Sequence, residues 1–383
     1  MLLRRLLWAA LVALFVSSVS HAEAPPGTGP LLAGQTATAL AGNRWLLVGG
    51  QSSAGATGAV LVFDPATGAR MSLPSLATPR VGHTATVLPD GGVLIVGGVG
   101  MSGDAIAAPE VIDLGVSTTT ALDEAGLLAR AGHTATLLTD GRVLIAGGRG
   151  SAGDAVAAAQ LWDPRSQEAQ AIDTPLAQPR TEHTATLLAD GSVLLWGGRD
   201  AAGVLVGGGE IFDPQRGRFS TVSVAPTLPL PGETPQLAGA VPADGADNVP
   251  LDSVLALRFS KPLQIGSVTP ATVSLHSPGG SEAATLVVAE QGSLVFITPQ
   301  SALTPATDYT VNVQGVVDTD GQPAAWSSLR FTTQPTEAGA HAGSGSDHAA
   351  HDMTGAPHSH APAVGPYGGA QAETDDDQWN GET

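Results

Sequence analysis

The stretch Arg130-Ala-Gly-His-Thr-Ala-Thr-Leu-Leu-Thr-Asp-Gly-Arg-Val-Leu-Ile-Ala-Gly-Gly148 decides the fold. Thr134 to Leu138 is rich in β-forming residues, and Asp140-Gly141 is a dipeptide suited to a type I′ hairpin turn. Val143 to Ala146 is a continuous apolar run, as in a strand buried on both faces. Gly147-Gly148 ends it, where backbone without Cβ can turn sharply or approach a neighbour. Further on, Gln160 to Trp162 predicts a third strand closed by Asp163-Pro164, and Glu168 to Ile172 predicts a weaker fourth.

The unit recurs. Gly34-Gln-Thr-Ala-Thr, Gly82-His-Thr-Ala-Thr, Gly132-His-Thr-Ala-Thr and Glu182-His-Thr-Ala-Thr start at spacings of 48, 50 and 50 residues. Paired glycines follow in phase at Gly49-Gly50, Gly97-Gly98, Gly147-Gly148 and Gly197-Gly198. A third mark is an apolar residue before aspartate, at Phe63-Asp64, Ile112-Asp113, Trp162-Asp163 and Phe212-Asp213. Such self-similarity is the signature of a repeat architecture. The first repeat replaces the hairpin pair with Gly42-Asn43, another workable turn. Four antiparallel strands in a unit of this length describe a β-propeller blade.

With their Arg-x-x-His-Thr-Ala-Thr start, Gly-Gly stop and Asp-Pro turn, residues 30 to 224 resemble kelch repeats, particularly bacterial secreted, galactose-oxidase-like ones. The resemblance implies a propeller whose loops converge on one face. Kelch propellers usually have about six or seven blades, and four repeats are present here; Gly232-Glu-Thr-Pro, at the fifth expected start, carries none of the marks. A tight four-bladed closure, a partial ring completed by another chain and a shortened form of a longer protein all fit. A stack of apolar blade faces cannot end bare in water, so the outer faces of the first and last blades need cover.

Ala225 to Pro235 is a Pro-rich linker. Beyond it, Leu255, Leu257 and Phe259 alternate with Ala256 and Arg258, marking a half-buried strand, and Tyr309, Val311 and Val313 repeat the pattern. Roughly six or seven such strands suggest a sandwich. Leu303-Thr-Pro-Ala-Thr-Asp-Tyr309, Gly315-Val-Val-Asp-Thr-Asp-Gly321 and Phe331-Thr-Thr together resemble a bacterial Ig-like domain of the surface-layer type. That resemblance places Tyr309 at a corner, its hydroxyl bonded to nearby backbone. It also implies a spacer or adhesive module.

Both ends differ from this body. Arg4 and Arg5 precede an apolar run from Leu6 to Val19 and small residues at Ser20, Ala22 and Ala24, the layout of a cleaved export signal. Residues 335 to 383 carry no Lys or Arg and little to bury, so disorder is expected. The expected division is therefore a signal at 1–24, the repeats at 25–224, the linker at 225–235, the sandwich at 236–334 and the tail at 335–383. All-β is the expected class: a four-bladed or partial kelch-type β-propeller plus an Ig-like sandwich.

Composition narrows function. The 383 residues hold 16 Lys plus Arg against 35 Asp plus Glu, a net charge of −19. That excludes a nucleic-acid partner, whose phosphates need neutralising cations. With no cysteine, thiol nucleophiles and Cys-ligated metals are excluded. So is the copper-radical site of galactose oxidase, which needs a Tyr–Cys cross-link; the only tyrosines here are Tyr309 and Tyr367.

His83, His133 and His183 share one phase, which predicts a structural role such as a bond to the next blade's backbone; a ring of imidazoles about the channel is the alternative. The recurring Asp64, Asp113, Asp163 and Asp213 suit turn-stabilising Asx bonds. Ligand binding is better sought where the repeat is broken. Glu182 replaces Gly82 and Gly132, Arg199-Asp200 replaces Val99-Gly100, and Glu110 and Glu210 replace Leu61 and Gln160. Paired carboxylates can hydrolyse glycosides, but no spacing brings two of these together. In the tail, His348, His351, His358 and His360 are candidate metal ligands, with a solvated spacer as the alternative. Asp318-x-Asp320-Gly321 reads as a turn, lacking the rest of a calcium loop.

The sequence thus describes an exported binding or scaffolding protein, without catalysis or cofactor, presenting propeller loops to a glycan or extracellular protein. Self-association could complete its propeller. The rival is a carbohydrate-active hydrolase, lyase or isomerase on the same fold, which fold alone does not exclude.

Overall fold

A computed structural model describes residues 25–336, apart from 123–124, 227–228 and 230–231. The expected export signal and the four candidate tail histidines lie outside the described residues. Every strand belongs to an all-β architecture, with short 3-10 turns between some of them.

Each repeat forms one four-stranded antiparallel sheet, its strands side by side in chain order. The first holds β1 (Thr36–Leu40), β2 (Arg44–Val48), β3 (Val60–Phe63) and β4 (Arg70–Leu73). The second holds β5 (Thr84–Val87), β6 (Val93–Val96), β7 (Glu110–Asp113) and β8 (Thr118–Ala121). The third holds β9 (Thr134–Leu137), β10 (Val143–Ala146), β11 (Ala159–Asp163) and β12 (Glu168–Ala171). The fourth holds β13 (Thr184–Leu187), β14 (Val193–Trp196), β15 (Gly209–Asp213) and β16 (Arg218–Val222).

The β9–β10 hairpin differs from the expected two-residue turn. Leu138 N–H bonds Arg142 O at 2.8 Å, which leaves a three-residue loop, Thr139 to Gly141. Of the expected Asp-Gly pair only the glycine is left-handed, at φ +87°, and Asp140 instead accepts the Arg142 N–H at 3.0 Å. Three-residue hairpins place glycine in this conformation as a rule.

The sheets pack face on face through apolar side chains. Leu46 and Val48 of the first meet Val93, Ile95 and Ile112 of the second. Leu94 and Val96 of the second meet Val143, Ile145 and Trp162 of the third. Leu144, Ala146 and Leu161 of the third meet Val193, Leu195 and Phe212 of the fourth. Innermost strands follow suit: β1 packs on β5, β5 on β9 and β9 on β13.

The second half is a sandwich. One sheet orders β17 (Leu237–Val241), β19 (Leu255–Phe259), β23 (Leu294–Pro299) and β22 (Ala284–Ala289). The other orders β18 (Ala246–Val249), β25 (Ser327–Thr333), β24 (Asp308–Val313), β20 (Val273–Ser277) and β21 (Gly280–Glu282). Leu255, Leu257, Phe259, Val295 and Ile297 pack on Val273, Tyr309, Val311, Leu329 and Phe331 between them. The Tyr309 hydroxyl accepts the Thr304 N–H at 2.8 Å, the corner bond that the resemblance implied.

β19 corrects one expectation. Its alternation read as half-buried, yet Ala256 is only 2% exposed. The reason is a second apolar face: Ala256, Val287, Ala289, Leu294 and Phe296 pack on Leu88, Leu94, Leu137 and Trp162 of the repeats. Arg258 adds polar ties there, donating to Ala189 O at 2.9 Å and Thr139 Oγ1 at 2.7 Å. The sandwich thus sits against the hairpin end of the repeat sheets.

Candidate functional site

Each of the last three repeats is closed by a buried arginine. Arg80 donates from one terminal nitrogen to the Glu110 carboxylate at 2.6 Å and from the other to Gly97 O and Ala108 O, both at 3.2 Å. Glu110 in turn accepts the Ala77 N–H at 2.7 Å and the Thr78 N–H at 3.1 Å from the strand-free segment entering the sheet. Arg180 and Glu210 repeat the arrangement at 2.9 Å, with Glu210 accepting the Ala177 N–H. In the third repeat Gln160 takes the acid's place, accepting from Arg130 at 2.8 Å and donating to Gly126 O.

Glu110 and Glu210 are each 1% exposed, so the structure places both inside the sheets. Burial depresses the Arg80 guanidinium and pushes that of Arg130, which faces a neutral amide, down to about 10. The sequence carried this lock as a constant interval of 30 residues from Arg80 to Glu110, Arg130 to Gln160 and Arg180 to Glu210. That interval is the signal by which sequence alone marks the lock.

The histidines bind between sheets. Nε2 of His83, His133 and His183 lies 3.0 Å from the hydroxyls of Thr36, Thr84 and Thr134, one repeat back. The partner is thus a threonine hydroxyl of the preceding repeat, where backbone of the next was expected. Burial pushes the His83 and His183 imidazoles down to about 3 and that of His133 well below its ordinary value, so all three are neutral. Asp64, Asp113, Asp163 and Asp213 each accept backbone N–H groups two residues on, the Asx turns anticipated from sequence.

Two candidates reach the surface at the end of the repeats opposite the hairpins. Glu182 precedes β13 and Arg199 follows β14, so antiparallel pairing brings them together. Arg199 Nε lies 3.5 Å from Glu182 Oε2, and both side chains are about half exposed, at 47% and 53%. Glu182 has φ +55°, at the place where Gly34, Gly82 and Gly132 have φ +66°, +65° and +64°. A side chain in this conformation costs roughly 1–2 kcal/mol. Local strain of this kind clusters at binding sites. Asp200 stands next to the pair, its Oδ1 accepting the Ala202 and Val204 N–H groups at 2.9 Å.

In the sandwich, Asp318 accepts the Asp320 and Gln322 N–H groups, which makes the expected turn. Its second oxygen binds Lys261, the sole lysine, which also donates to Glu233 O at 3.1 Å. The ammonium therefore occupies this acidic turn. Among the described residues no three His, Asp or Glu side chains gather as a metal centre would need.

Comparison with known proteins adds one family. Residues 232–333 match the bacterial Ig-like domain family. No curated protein matches the chain. Among solved structures, a fungal alcohol oxidase of the AA5 family, in complex with copper, is similar to 79% of this chain over 85% of its own length. Its identity is 12% and its TM-score 0.37.

Proposed function

We propose that the repeats form a partial kelch-type propeller and that the protein is an exported, non-catalytic binding or scaffolding module. The carrying observation is Glu182. Three repeats place glycine in a left-handed position, and the fourth keeps an acid there at a cost in stability while pairing it with Arg199. A half-exposed carboxylate and guanidinium, with Asp200 beside them, suit the hydroxyl groups of a glycan or the polar side chains of an extracellular protein. Two of the four repeat-breaking acids, Glu110 and Glu210, are committed to internal bonds, which leaves Glu182 and Asp200 to face a ligand. Bacterial Ig-like domains are typical of surface and extracellular proteins, in keeping with export. Among the described residues, no helix is long and apolar enough to cross a membrane.

Screening the full chain on arrayed glycans and surface proteins tests this. A ligand lost on Glu182→Ala or Arg199→Ala, with no product released, supports the reading. Turnover of any polysaccharide, abolished by one of these changes, replaces it with the enzyme alternative.

A further inference from the structure

The three junctions between successive repeat sheets are built alike. A threonine at the start of each innermost strand meets the next repeat's histidine at 3.0 Å, as Thr36–His83, Thr84–His133 and Thr134–His183. The second glycine of each pair donates to the next repeat's arginine carbonyl: Gly50 to Arg80, Gly98 to Arg130 and Gly148 to Arg180, at 3.0, 2.9 and 2.8 Å. The first glycine of each pair lies so close to that histidine and carbonyl that a Cβ would meet them at 2.8 Å or less.

The fourth sheet carries the same groups, with no further repeat sheet against them among the described residues. Gly197 has no neighbour within 4 Å of where its Cβ would stand. The Gly198 N–H has no partner among the described residues. Thr184 Oγ1 turns back to its own sheet, to Trp196 O at 3.4 Å. Thr84 and Thr134 are buried, whereas Thr184, like Thr36, is half-buried. At the next position, Val48, Val96 and Ala146 are 1% exposed or less, and here a half-buried Trp196 takes their place.

We propose that this face docks the first repeat sheet of a second copy of the chain, joined head to tail. The proposal continues an interface already formed three times within one chain, and is independent of what Glu182 and Arg199 bind. Leu47 and Phe63 on the outward face of the first sheet are already buried, Phe63 beneath Arg70, and the matching groups it offers lie along the edge at residues 32 to 35. Gln35 stands at the histidine position, and its Oε1 accepts the Leu32 N–H at 3.2 Å. Its amide N–H groups remain to donate to the Thr184 hydroxyl. Leu32 stands at the arginine position, its carbonyl placed to accept the Gly198 N–H, and its side chain is exposed. That apolar side chain suits Trp196. Head-to-tail contacts close into rings or continue as filaments, and either would cover the bare face.

The absence of native cysteine makes the test clean. Full-length Gln35→Cys and Thr184→Cys chains are mixed and treated with a short bismaleimide. The mixture should give covalent dimers, and neither variant alone should. The unmodified chain should have the mass of a dimer or larger assembly in solution. Trp196→Glu, with an unchanged circular dichroism spectrum, should weaken assembly about tenfold or more. A monomeric unmodified chain overturns the proposal, as does equal cross-linking in every pairing. Cross-linking of Thr184→Cys to itself overturns it in favour of a face-to-face dimer. A thiol at position 184 that reacts only after removal of residues 337–383 overturns it in favour of the chain's own C-terminal segment.

Discussion

Arg130 donates to Gln160 at 2.8 Å in the place where Arg80 and Arg180 face Glu110 and Glu210. One fold position therefore accepts both an ion pair and a charged-to-neutral hydrogen bond. Geometry is the shared requirement: an oxygen must accept from the guanidinium and from the segment entering the sheet.

That geometry ranks two substitutions. Glu110→Ala leaves Arg80 a buried cation without its counter-charge, held by backbone carbonyls alone, and should cost about 3–5 kcal/mol. Glu110→Gln keeps the acceptor, as the third repeat does, and should cost less than half as much. Urea unfolding of the two variants checks the order; equal losses would show that charge, rather than the hydrogen bond, holds the position.

The inter-sheet histidines make stability depend on acid. The folded-state values of His83 and His183, about 3, lie below the ordinary 6.5, and that of His133 is lowered in the same sense, so the unfolded chain binds more protons between those limits. Stability should be complete above about pH 6.5 and fall as the pH drops toward 3. Unfolding free energies measured from pH 7 to pH 4 should show this decline, and His133→Gln should flatten it.

Glu290 acts in the opposite sense. Its carboxylate accepts the Leu137 N–H at 2.7 Å across the contact between sandwich and repeats. Desolvation there raises the group to about 7, so the unfolded chain loses its proton first as pH rises from 4.5, and stability falls through that window. Glu290→Gln keeps an acceptor for Leu137. It should raise the melting temperature at pH 8 and leave it unchanged at pH 4.

Glu182→Gly restores the residue that the other three repeats use. It should add about 1 kcal/mol of stability by relieving the left-handed strain. Ligand binding at the Arg199 end should weaken in the same variant. A variant no more stable than the parent would show that Glu182 is held without strain.

Much of the fold was legible because its signals were repeated. The phase of Thr134-Ala-Thr, Gly147-Gly148 and Trp162-Asp163 marked the strands of the third sheet to within a residue or two. Single instances read less well. Asp140-Gly141 suggested a two-residue turn because the dipeptide does not reveal that Leu138 pairs with Arg142. Ala256 and Arg258 looked solvent-facing because local alternation carries no record of a distant surface. The Arg–Glu lock was visible as an interval, whereas its burial depended on packing across three strands. Glu182 stood out in sequence as a broken glycine, and the left-handed backbone gives that break its physical meaning.

Around Ala256 and Phe296 the sheet is buried on both faces. Cut free of the repeats, the sandwich would expose a strip of leucine, valine and phenylalanine and would be prone to aggregate. Heat or denaturant should therefore melt both halves in a single cooperative step, so that damage to either is felt at once by the other.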